Sequence, residues 1–329
     1  MLRGRALVRW PALPNQPVAD PRTGRQHALA VLQALLVTFL WSTSWVLIKI
    51  GLDDLDMAPI SFAGLRYALA AVILLPFGLR AMRARTNHVP LDARLAARVA
   101  IYGLLFVAVA QGGQFAALAL LPATAVSLML ASIPAAVAIL ALAGSRERAT
   151  IGQAAGIGLL TVGAALYFGP FEVEPGTELG FLAAGVCVLA AAFSAHLGRS
   201  LARDAIGRLG GPIGLTATSM AVGAGALLVV GLVLEGWPAL DPVGWLIIGW
   251  LAVVNTALAF TLWNHTLRIL TAVESSVVNN TMTIQIAILA VVILGEELGV
   301  LQVGGLVLAA VGAAIVQLAP ILRRGRPRA

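Results

Sequence analysis

The chain has 329 residues, of which 60% are hydrophobic and 11% are charged, and its mean hydropathy is +0.93. This composition leaves too few polar side chains to cover a water-soluble domain of that size, so it excludes soluble enzymes and soluble binding proteins. The net charge of +7 does not indicate a nucleic-acid partner, because the basic residues follow a pattern that a membrane imposes.

Apolar runs recur along the whole chain, separated by charges and by proline or glycine. Each is close to the roughly 20 residues that a helix needs to cross the hydrocarbon core of a bilayer. They predict ten spanning helices, and therefore an all-α integral membrane protein embedded in the lipid bilayer. The spans, in chain order, are 28–50, 58–79, 97–118, 123–143, 151–168, 179–197, 213–234, 243–263, 272–294 and 298–318.

The residues outside these spans at either end of the chain are predicted to be basic cytoplasmic tails. They are residues 1–27, which are rich in proline and expected to be disordered, and residues 319–329. The short N-terminal stretch lacks the apolar core of a signal peptide.

Most basic residues fall in the loops at one end of the predicted bundle. Short loops rich in Lys and Arg stay in the cytoplasm, so the pattern predicts an inner (plasma) membrane protein with both termini cytoplasmic. Only Lys49 and Arg66 lie outside this basic set. The loops at the other end carry the acidic residues, namely Asp53, Asp54, Asp56, Glu172, Glu174, Glu178, Glu235, Asp241, Glu296 and Glu297.

The chain contains an internal repeat. Residues 121–168 align without a gap on residues 270–317, each residue falling 149 positions earlier than its partner, so that Glu147 meets Glu296. The repeats are predicted to span residues 28–168 and 179–318, with five helices each. Because five is odd, the second repeat must enter the membrane in the opposite sense. Inverted repeats around a central cavity are typical of transporters, and a channel or a scaffold remains an alternative.

Four segments carry a family resemblance: the run Phe39–Trp45, the run Pro59–Ala70, the turn Gly295-Glu296-Glu297 and the glycine-containing helix at 304–312. Together with the duplication they resemble the EamA type of the drug/metabolite transporter superfamily, over almost the whole chain. The resemblance implies a secondary transporter with two five-helix repeats around a central cavity. Many such relatives export amino acids or other small metabolites.

The first predicted helix carries a candidate substrate-binding stripe. Trp41 and Trp45 are four residues apart and share a helix face, with Ser44 and Lys49 close to the same stripe. Trp41 is too deep for an interfacial aromatic belt, so the pair is expected to stack on the substrate, while Lys49 could meet a carboxylate. The alternatives are ordinary helix packing for the tryptophans and a lysine that reaches back to water.

Amide side chains inside the spans form the rest of the predicted binding site. Amides both donate and accept hydrogen bonds, so they suit a polar or zwitterionic solute. The alternative is that they hold neighbouring helices together by hydrogen bonds within the bundle. They are Gln111, Gln114, Asn255, Asn279, Asn280 and Gln285.

Three residues are predicted to have structural or coupling roles. Arg66 lies too deep for a loop charge, so it is expected to pair with acids of the adjoining loop, such as Asp53 or Asp56; substrate contact is the alternative. His196 is a candidate for proton coupling, since histidine titrates near neutral pH. Pro134 could act as a hinge, because proline interrupts the helical hydrogen bonds.

Several classes of function are disfavoured by what the spans lack. No Asp or Glu lies well inside a span, which argues against exchange of protons for cationic drugs. Cys187 is the sole cysteine, so no disulfide or cysteine-based zinc site forms, and neither a metal nor a cofactor is expected. The serines Ser44, Ser127 and Ser132 have no histidine beside them at depth, so enzymatic activity is not predicted.

These observations predict export of small polar metabolites, with amino acids as the leading candidates, by alternating access across the inner membrane. Transport of anionic metabolites such as phosphorylated sugars, or passive conduction through a channel, remain alternatives.

Small residues four apart in the fifth and tenth helices, such as Gly152 and Gly156, permit close helix packing. They could serve a homodimer contact or the back of the bundle.

Overall fold

The structure is a computed structural model, and it describes residues 21–84, 92–143, 150–169 and 176–324. Within these ranges every regular element is helical, and ten helices are long and apolar enough to cross a membrane. The predicted all-α membrane fold with ten spans is therefore confirmed.

The helices are numbered α1 to α10 in chain order, and most bounds fall within a few residues of the predicted spans. Their bounds are Pro21–Asp53 (α1), Pro59–Arg83 (α2), Ala93–Leu120 (α3), Ala123–Leu130 with Ile133–Ala143 (α4), Ile151–Phe168 (α5), Glu178–Asp204 (α6), Gly211–Glu235 (α7), Pro242–Ala252 with Val253–Leu258 and Ala259–Thr266 (α8), Ala272–Leu289 with Ala290–Leu294 (α9) and Val300–Arg324 (α10).

Helix α1 begins seven residues earlier than its predicted span, so residues 21–27 are helical where the sequence predicts part of a disordered tail. Two contacts hold this end of the helix against the second repeat. His27 Nε2 lies 3.0 Å from Glu274 Oε1, and Gln33 Nε2 donates to the carbonyl oxygen of Leu262 at 3.0 Å. The remainder of both predicted tails, residues 1–20 and 325–329, lies outside the described residues, as does Glu147.

Helices α2 and α7 pack closely and run antiparallel. A Cβ placed on Gly64 would lie 2.6 Å from the Cα of Leu228, and a Cβ on Gly231 would lie 2.7 Å from the Cα of Ser61. The residue number thus rises along one helix as it falls along the other. Since α2 and α7 are the second helices of the two repeats, the repeats cross the membrane in opposite senses.

Helices α5 and α10, the last helices of the repeats, show the same relationship. A Cβ on Gly156 would lie 2.8 Å from the backbone nitrogen of Val316, and one on Gly163 would lie 2.6 Å from the carbonyl oxygen of Gly305. The glycine faces predicted for close packing are therefore used between these two helices. The predicted inverted repeat is confirmed by both antiparallel pairs.

The other helices form two groups that face each other across the centre of the bundle. Helix α1 packs against α8 and α9, while α6 packs against α3 and α4. The groups are related by the repeat, because α1, α8 and α9 correspond to α6, α3 and α4. This arrangement places a cavity between the two groups, with the α2–α7 and α5–α10 pairs at its sides.

Candidate functional site

A cavity of about 550 Å³ occupies the space between the two helix groups. That volume is within the range of small-molecule binding sites. Its wall combines aromatic rings, amides and hydroxyls with a single arginine, and no acidic residue is among the described side chains that line it. The polar and aromatic lining residues are Trp41, Ser44, Trp45, Arg66, Tyr67, Tyr102, Phe106, Gln111, Gln114, Ser127, Ser194, Asn255, Phe260, Asn279, Asn280, Thr283 and Gln317.

The cavity extends towards the end of the bundle at which the chain begins, which we call the basic end. Tyr102, Phe260 and Gln317 line it there, each near the end of its helix that leads to basic residues. Towards the opposite, acidic end it is lined by Ser127 and Arg66, four and seven residues inside their helices. The lining thus reaches about equally far towards the two ends.

At the acidic end, Lys49 joins the two helix groups. Its Nζ donates to the carbonyl oxygen of Leu118 at 2.9 Å and lies 3.1 Å from Asp53 Oδ2. Leu118 is in the last turn of α3, where carbonyls lack partners within the helix and attract a cation. Lys49 does not line the cavity, although the sequence predicts it in the binding site. Its ammonium group is instead paired with the Leu118 carbonyl and the Asp53 carboxylate.

Glu296 makes a second connection at the acidic end. Helix α9 ends at Gly295 with φ of +70°, a left-handed conformation that favours glycine, and the chain then turns so that Glu296 reaches α4. Its carboxylate accepts from the backbone N–H of Ala123 at 2.6 Å, and from the N–H and hydroxyl of Thr124 at 3.2 and 2.6 Å. A carboxylate at a helix N-terminus is favourable because the first N–H groups are unpaired.

Glu235 caps another helix of the first repeat in the same way. Its two carboxylate oxygens accept from the backbone N–H groups of Ile60 at 3.1 Å and Ser61 at 2.7 Å, at the start of α2. Two acidic residues of the second repeat thus hold two helix N-termini of the first. The sequence analysis missed these roles, and the signal available was the lack of a capping side chain at the start of both helices.

At the basic end, polar contacts lie within each helix group. Arg98 Nη2 donates to Ser200 Oγ at 2.7 Å, which joins α3 to α6, and Arg208 lies 3.3 Å from Asp92. The Leu95 backbone N–H, followed by Arg208, lowers the pKa of the Asp92 carboxyl below its ordinary value. Over the described ranges, no hydrogen bond or ion pair at this end joins one helix group to the other, so the polar contacts between the groups described here lie at the acidic end.

Trp41 and Phe260 form an aromatic wall of the cavity. Their ring centroids are 5.4 Å apart, and the ring of Trp263, one turn further along α8, lies 5.3 Å from Trp41. Trp45 also lines the cavity, but it is largely buried in the bundle core. Ser44 lines the cavity while its hydroxyl donates to the carbonyl of Trp41 at 2.6 Å.

The predicted amides divide between cavity wall and helix packing. Gln111 accepts a hydrogen bond from the Tyr67 hydroxyl at 2.6 Å, and Asn280 Oδ1 accepts from Gln317 Nε2 at 3.1 Å. Gln285 is outside the cavity wall, since it bonds Ser42 at 3.0 Å and so ties α9 to α1. The amides that line the cavity are Gln111, Gln114, Asn255, Asn279 and Asn280.

Two buried amide atoms at the cavity wall have no hydrogen-bond partner, Asn255 Oδ1 and Asn280 Nδ2. The orientation of the Asn255 amide is fixed, because its Nδ2 donates to the carbonyl oxygen of Leu40, which can only accept. Unpaired polar atoms are uncommon in protein interiors and often mark functional positions.

The predicted partner of Arg66 is wrong. Asp53 is bonded to Lys49, and Arg66 lies about eight residues inside α2, beyond the reach of the loop acids. Its Nε instead donates to Thr256 Oγ1 at 3.3 Å, and its guanidinium lies 4.9 Å from the centre of the Tyr67 ring. Arg66 is 4% exposed and lines the cavity.

His196 and Pro134 occupy different environments. His196 is exposed on α6 and is not part of the cavity wall. Pro134 lines the cavity just after the break in α4 between Leu130 and Ile133. A break at this point agrees with the proline, which lacks an N–H to donate and crowds the carbonyl of residue 130.

The repeat relates the two sides of the cavity residue by residue. Helices α3 and α8 each contain a wider π-helical turn, Leu104–Val109 and Val253–Leu258, at positions 149 apart. π-helical turns are frequent at functional sites. Within α3, α4, α8 and α9, six pairs of lining residues are also 149 apart: Phe106 and Asn255, Gln111 and Phe260, Leu130 and Asn279, Ala131 and Asn280, Ile133 and Met282, and Pro134 and Thr283.

In four of these six pairs a polar residue of the second repeat corresponds to an apolar residue of the first. Symmetry of the backbone therefore sets the shape of the cavity, and the divergence of side chains makes the lining differ between the repeats. The gapless alignment in the sequence could have identified Leu130 as a lining residue, since its partner Asn279 was already a candidate. Extending the same offset towards the N-terminus of each repeat could have added Phe106 and Phe260, the partners of Asn255 and Gln111.

The inverted duplication, the ten spans and the central cavity define a multi-pass membrane protein of transporter architecture. The model of the EamA-like transporter family matches residues 28–169 and 180–318, which together are most of the chain. The chain therefore belongs to the EamA-like transporter family.

The comparison with solved structures shows the same fold. One match, described only as a crystal structure of a protein, superposes with a TM-score of 0.59 at 19% sequence identity. The match covers 91% of this chain and 98% of the other. No curated protein matches this sequence significantly.

Proposed function

We propose that the protein is a secondary transporter that exports small polar metabolites, with amino acids as the leading candidates, across the inner membrane by alternating access. The observation that carries this proposal is the cavity of about 550 Å³ between the inverted repeats, which is lined by aromatic rings, amides and hydroxyls.

Alternating access is supported by the different contacts at the two ends. Lys49 and Glu296 hold the helix groups together at the acidic end, while no described polar contact joins them at the basic end. Because the repeats are inverted copies, a second arrangement with the opposite end open has a similar set of packing contacts available. By the positive-inside rule the basic end, where no described polar contact joins the groups, would face the cytoplasm, from which an exporter loads its substrate.

An amino acid fits the chemistry of the wall. The unpaired acceptor Asn255 Oδ1 and the aromatic faces of Trp41 and Phe260 suit an ammonium group, and Asn280 Nδ2 is a free donor. The substrate side chain can lie against the apolar lining residues of α4, namely Leu130, Ala131 and Ile133. The glycine faces of α5 and α10 pack against each other within the chain. The predicted homodimer contact therefore has no assigned surface and stays a prediction.

The second candidate is an anionic metabolite such as a phosphorylated sugar. Arg66 in the wall favours an anion, but it is the sole charged side chain among the described lining residues. A phosphate dianion would bring one charge more than the wall neutralises. A passive channel would need a path through both ends, and the acidic end is closed by the contacts described above.

Counterflow in proteoliposomes tests the proposal. Vesicles preloaded with one unlabelled amino acid should transiently concentrate the same labelled amino acid, with and without a pH gradient, for at least one member of a panel of the twenty common amino acids. A channel would give rapid equilibration without concentration. No counterflow across the whole panel would reject amino-acid transport.

Trp41→Ala is expected to slow counterflow roughly tenfold, because it removes an aromatic face whose stacking and burial contribute about 1–2 kcal/mol. The matched control is Trp250→Ala on α8, since Trp250 is half exposed on the outside of the bundle. Both variants should elute as folded protein on size exclusion. A Trp41→Ala variant with wild-type counterflow would remove the aromatic wall from the binding site.

A further inference from the structure

Arg66 is a buried cation without a carboxylate partner. It is 4% exposed, and no Asp or Glu of the described residues forms a salt bridge with it. The described lining of the cavity also contains no acidic side chain. A charge at this depth is costly unless a group of opposite charge compensates it, so the uncompensated arginine needs an explanation.

The surroundings of Arg66 hold the guanidinium in place without using its terminal nitrogens. Nε donates to Thr256 Oγ1 at 3.3 Å, and the rings of Tyr67 and Phe115 lie 4.9 and 5.8 Å from the guanidinium carbon. Tyr67 is itself fixed by its hydrogen bond to Gln111. In the described part of the chain, Nη1 and Nη2 have no hydrogen-bond partner. Their N–H groups are therefore available to a ligand in the cavity.

We propose that Arg66 binds the carboxylate of the transported molecule, a role that rests on the proposed transport function. A guanidinium presents two parallel N–H groups that match the two oxygens of a carboxylate, and such bidentate pairs are among the stronger hydrogen bonds in proteins. A carboxylate carries one negative charge, which equals the single positive charge of the wall. The site therefore selects substrates with one carboxylate and disfavours molecules that lack it.

This assignment differs from the sequence prediction, which gave the carboxylate to Lys49. Lys49 bonds Leu118 O and Asp53 and lies outside the wall, whereas Arg66 lies in it. The two membrane-embedded cations therefore have separate tasks. Lys49 is the matched control for the preference of Arg66 for an acid over its amide.

The test is tryptophan fluorescence of the purified protein, since Trp41 and Trp45 line the cavity. The probes are L-alanine, L-threonine, L-leucine and L-phenylalanine with their carboxamides, and L-lactate with lactamide. At least one acid should bind roughly tenfold or more tightly than its amide, because the amide cannot neutralise Arg66. Arg66→Gln should remove the preference, Arg66→Lys should keep part of it, and Lys49→Gln should keep it.

A chemical measurement on the wild type covers the case in which an Arg66 variant does not fold. Phenylglyoxal modifies accessible arginines, and mass spectrometry reports the extent at each site. The acid that binds should protect Arg66 and leave Arg98, at the basic end, unprotected, while its amide protects neither. Protection of Arg66 by the amide, or a full preference in Arg66→Gln, would overturn the assignment, as would a panel in which no acid exceeds its amide.

The outcomes separate this proposal from the proposed function. Arg66-dependent binding of lactate without counterflow of any amino acid would reject amino-acid transport and keep the carboxylate site. Counterflow of an amino acid that Arg66→Gln leaves unchanged would keep the transport function and reject the role of Arg66.

Discussion

Replacing Gly163 with leucine is expected to destabilise the folded protein strongly. Gly163 is buried where α5 crosses α10, and even a Cβ there would lie 2.6 Å from the backbone nitrogen of Ala309 and from the carbonyl oxygen of Gly305. These are backbone atoms, so they cannot rotate away as a side chain could. We expect a destabilisation of about 3 kcal/mol or more, at the upper end of the range for overpacked sites.

The measurement is thermal unfolding of the detergent-purified protein, with the amount of monodisperse protein as a second readout. Gly158→Leu is the control, because Gly158 is on the same helix and a Cβ there has no atom within 4 Å. It should behave as the wild type. Equal stability of the two variants would contradict the close antiparallel contact of α5 with α10.

Glu296→Gln is expected to open the acidic end of the cavity. The glutamine keeps the shape of the side chain but loses the negative charge that the N–H groups of Ala123 and Thr124 meet at the start of α4. Hydrogen bonds to a charged group contribute about 1.5–3 kcal/mol, so the population open at this end should increase roughly tenfold or more.

This opening can be measured by cysteine labelling. Ser127 lines the cavity near its acidic end, so Ser127→Cys in a Cys187→Ala background reports access from that side. A membrane-impermeant maleimide should label it roughly tenfold faster with Glu296→Gln. Glu297→Gln is the control, since Glu297 is the exposed neighbour of Glu296. Equal labelling rates in folded Glu296→Gln and Glu297→Gln protein would show that the contact of Glu296 with α4 does not keep this end closed.

The sequence predicted the depth of polar residues more reliably than their partners. Span boundaries and a rise of 1.5 Å per residue indicated that Arg66 and Trp41 lie inside the membrane, which the helix bounds support. They did not indicate which way a side chain points around its helix. For that reason the partners of the two cations were exchanged. Arg66 was predicted to pair with a loop acid, which in the structure binds Lys49, and Lys49 was predicted to meet the substrate in the cavity, where the structure places Arg66.

Gln285 shows the same limitation. Its position in α9 indicated a polar group at depth, and two interpretations were left open, substrate contact and helix packing. The structure places it between α1 and α9, where it bonds Ser42 and Thr38. The choice depended on the rotation of α9 against α1, which no local pattern in the sequence encodes.

The sequence by itself determined the membrane class, the ten spans and the inverted duplication, because each follows from the thickness of the hydrocarbon core, the position of charges and the repeat. Only the tertiary structure decided which cation lines the cavity and which carboxylates close its acidic end. Those contacts join residues far apart in the chain, such as Arg66 with Thr256 and Glu296 with Ala123. Their geometry is set by how helices from opposite repeats rotate and pack, since packing alone brings such distant groups within hydrogen-bonding distance.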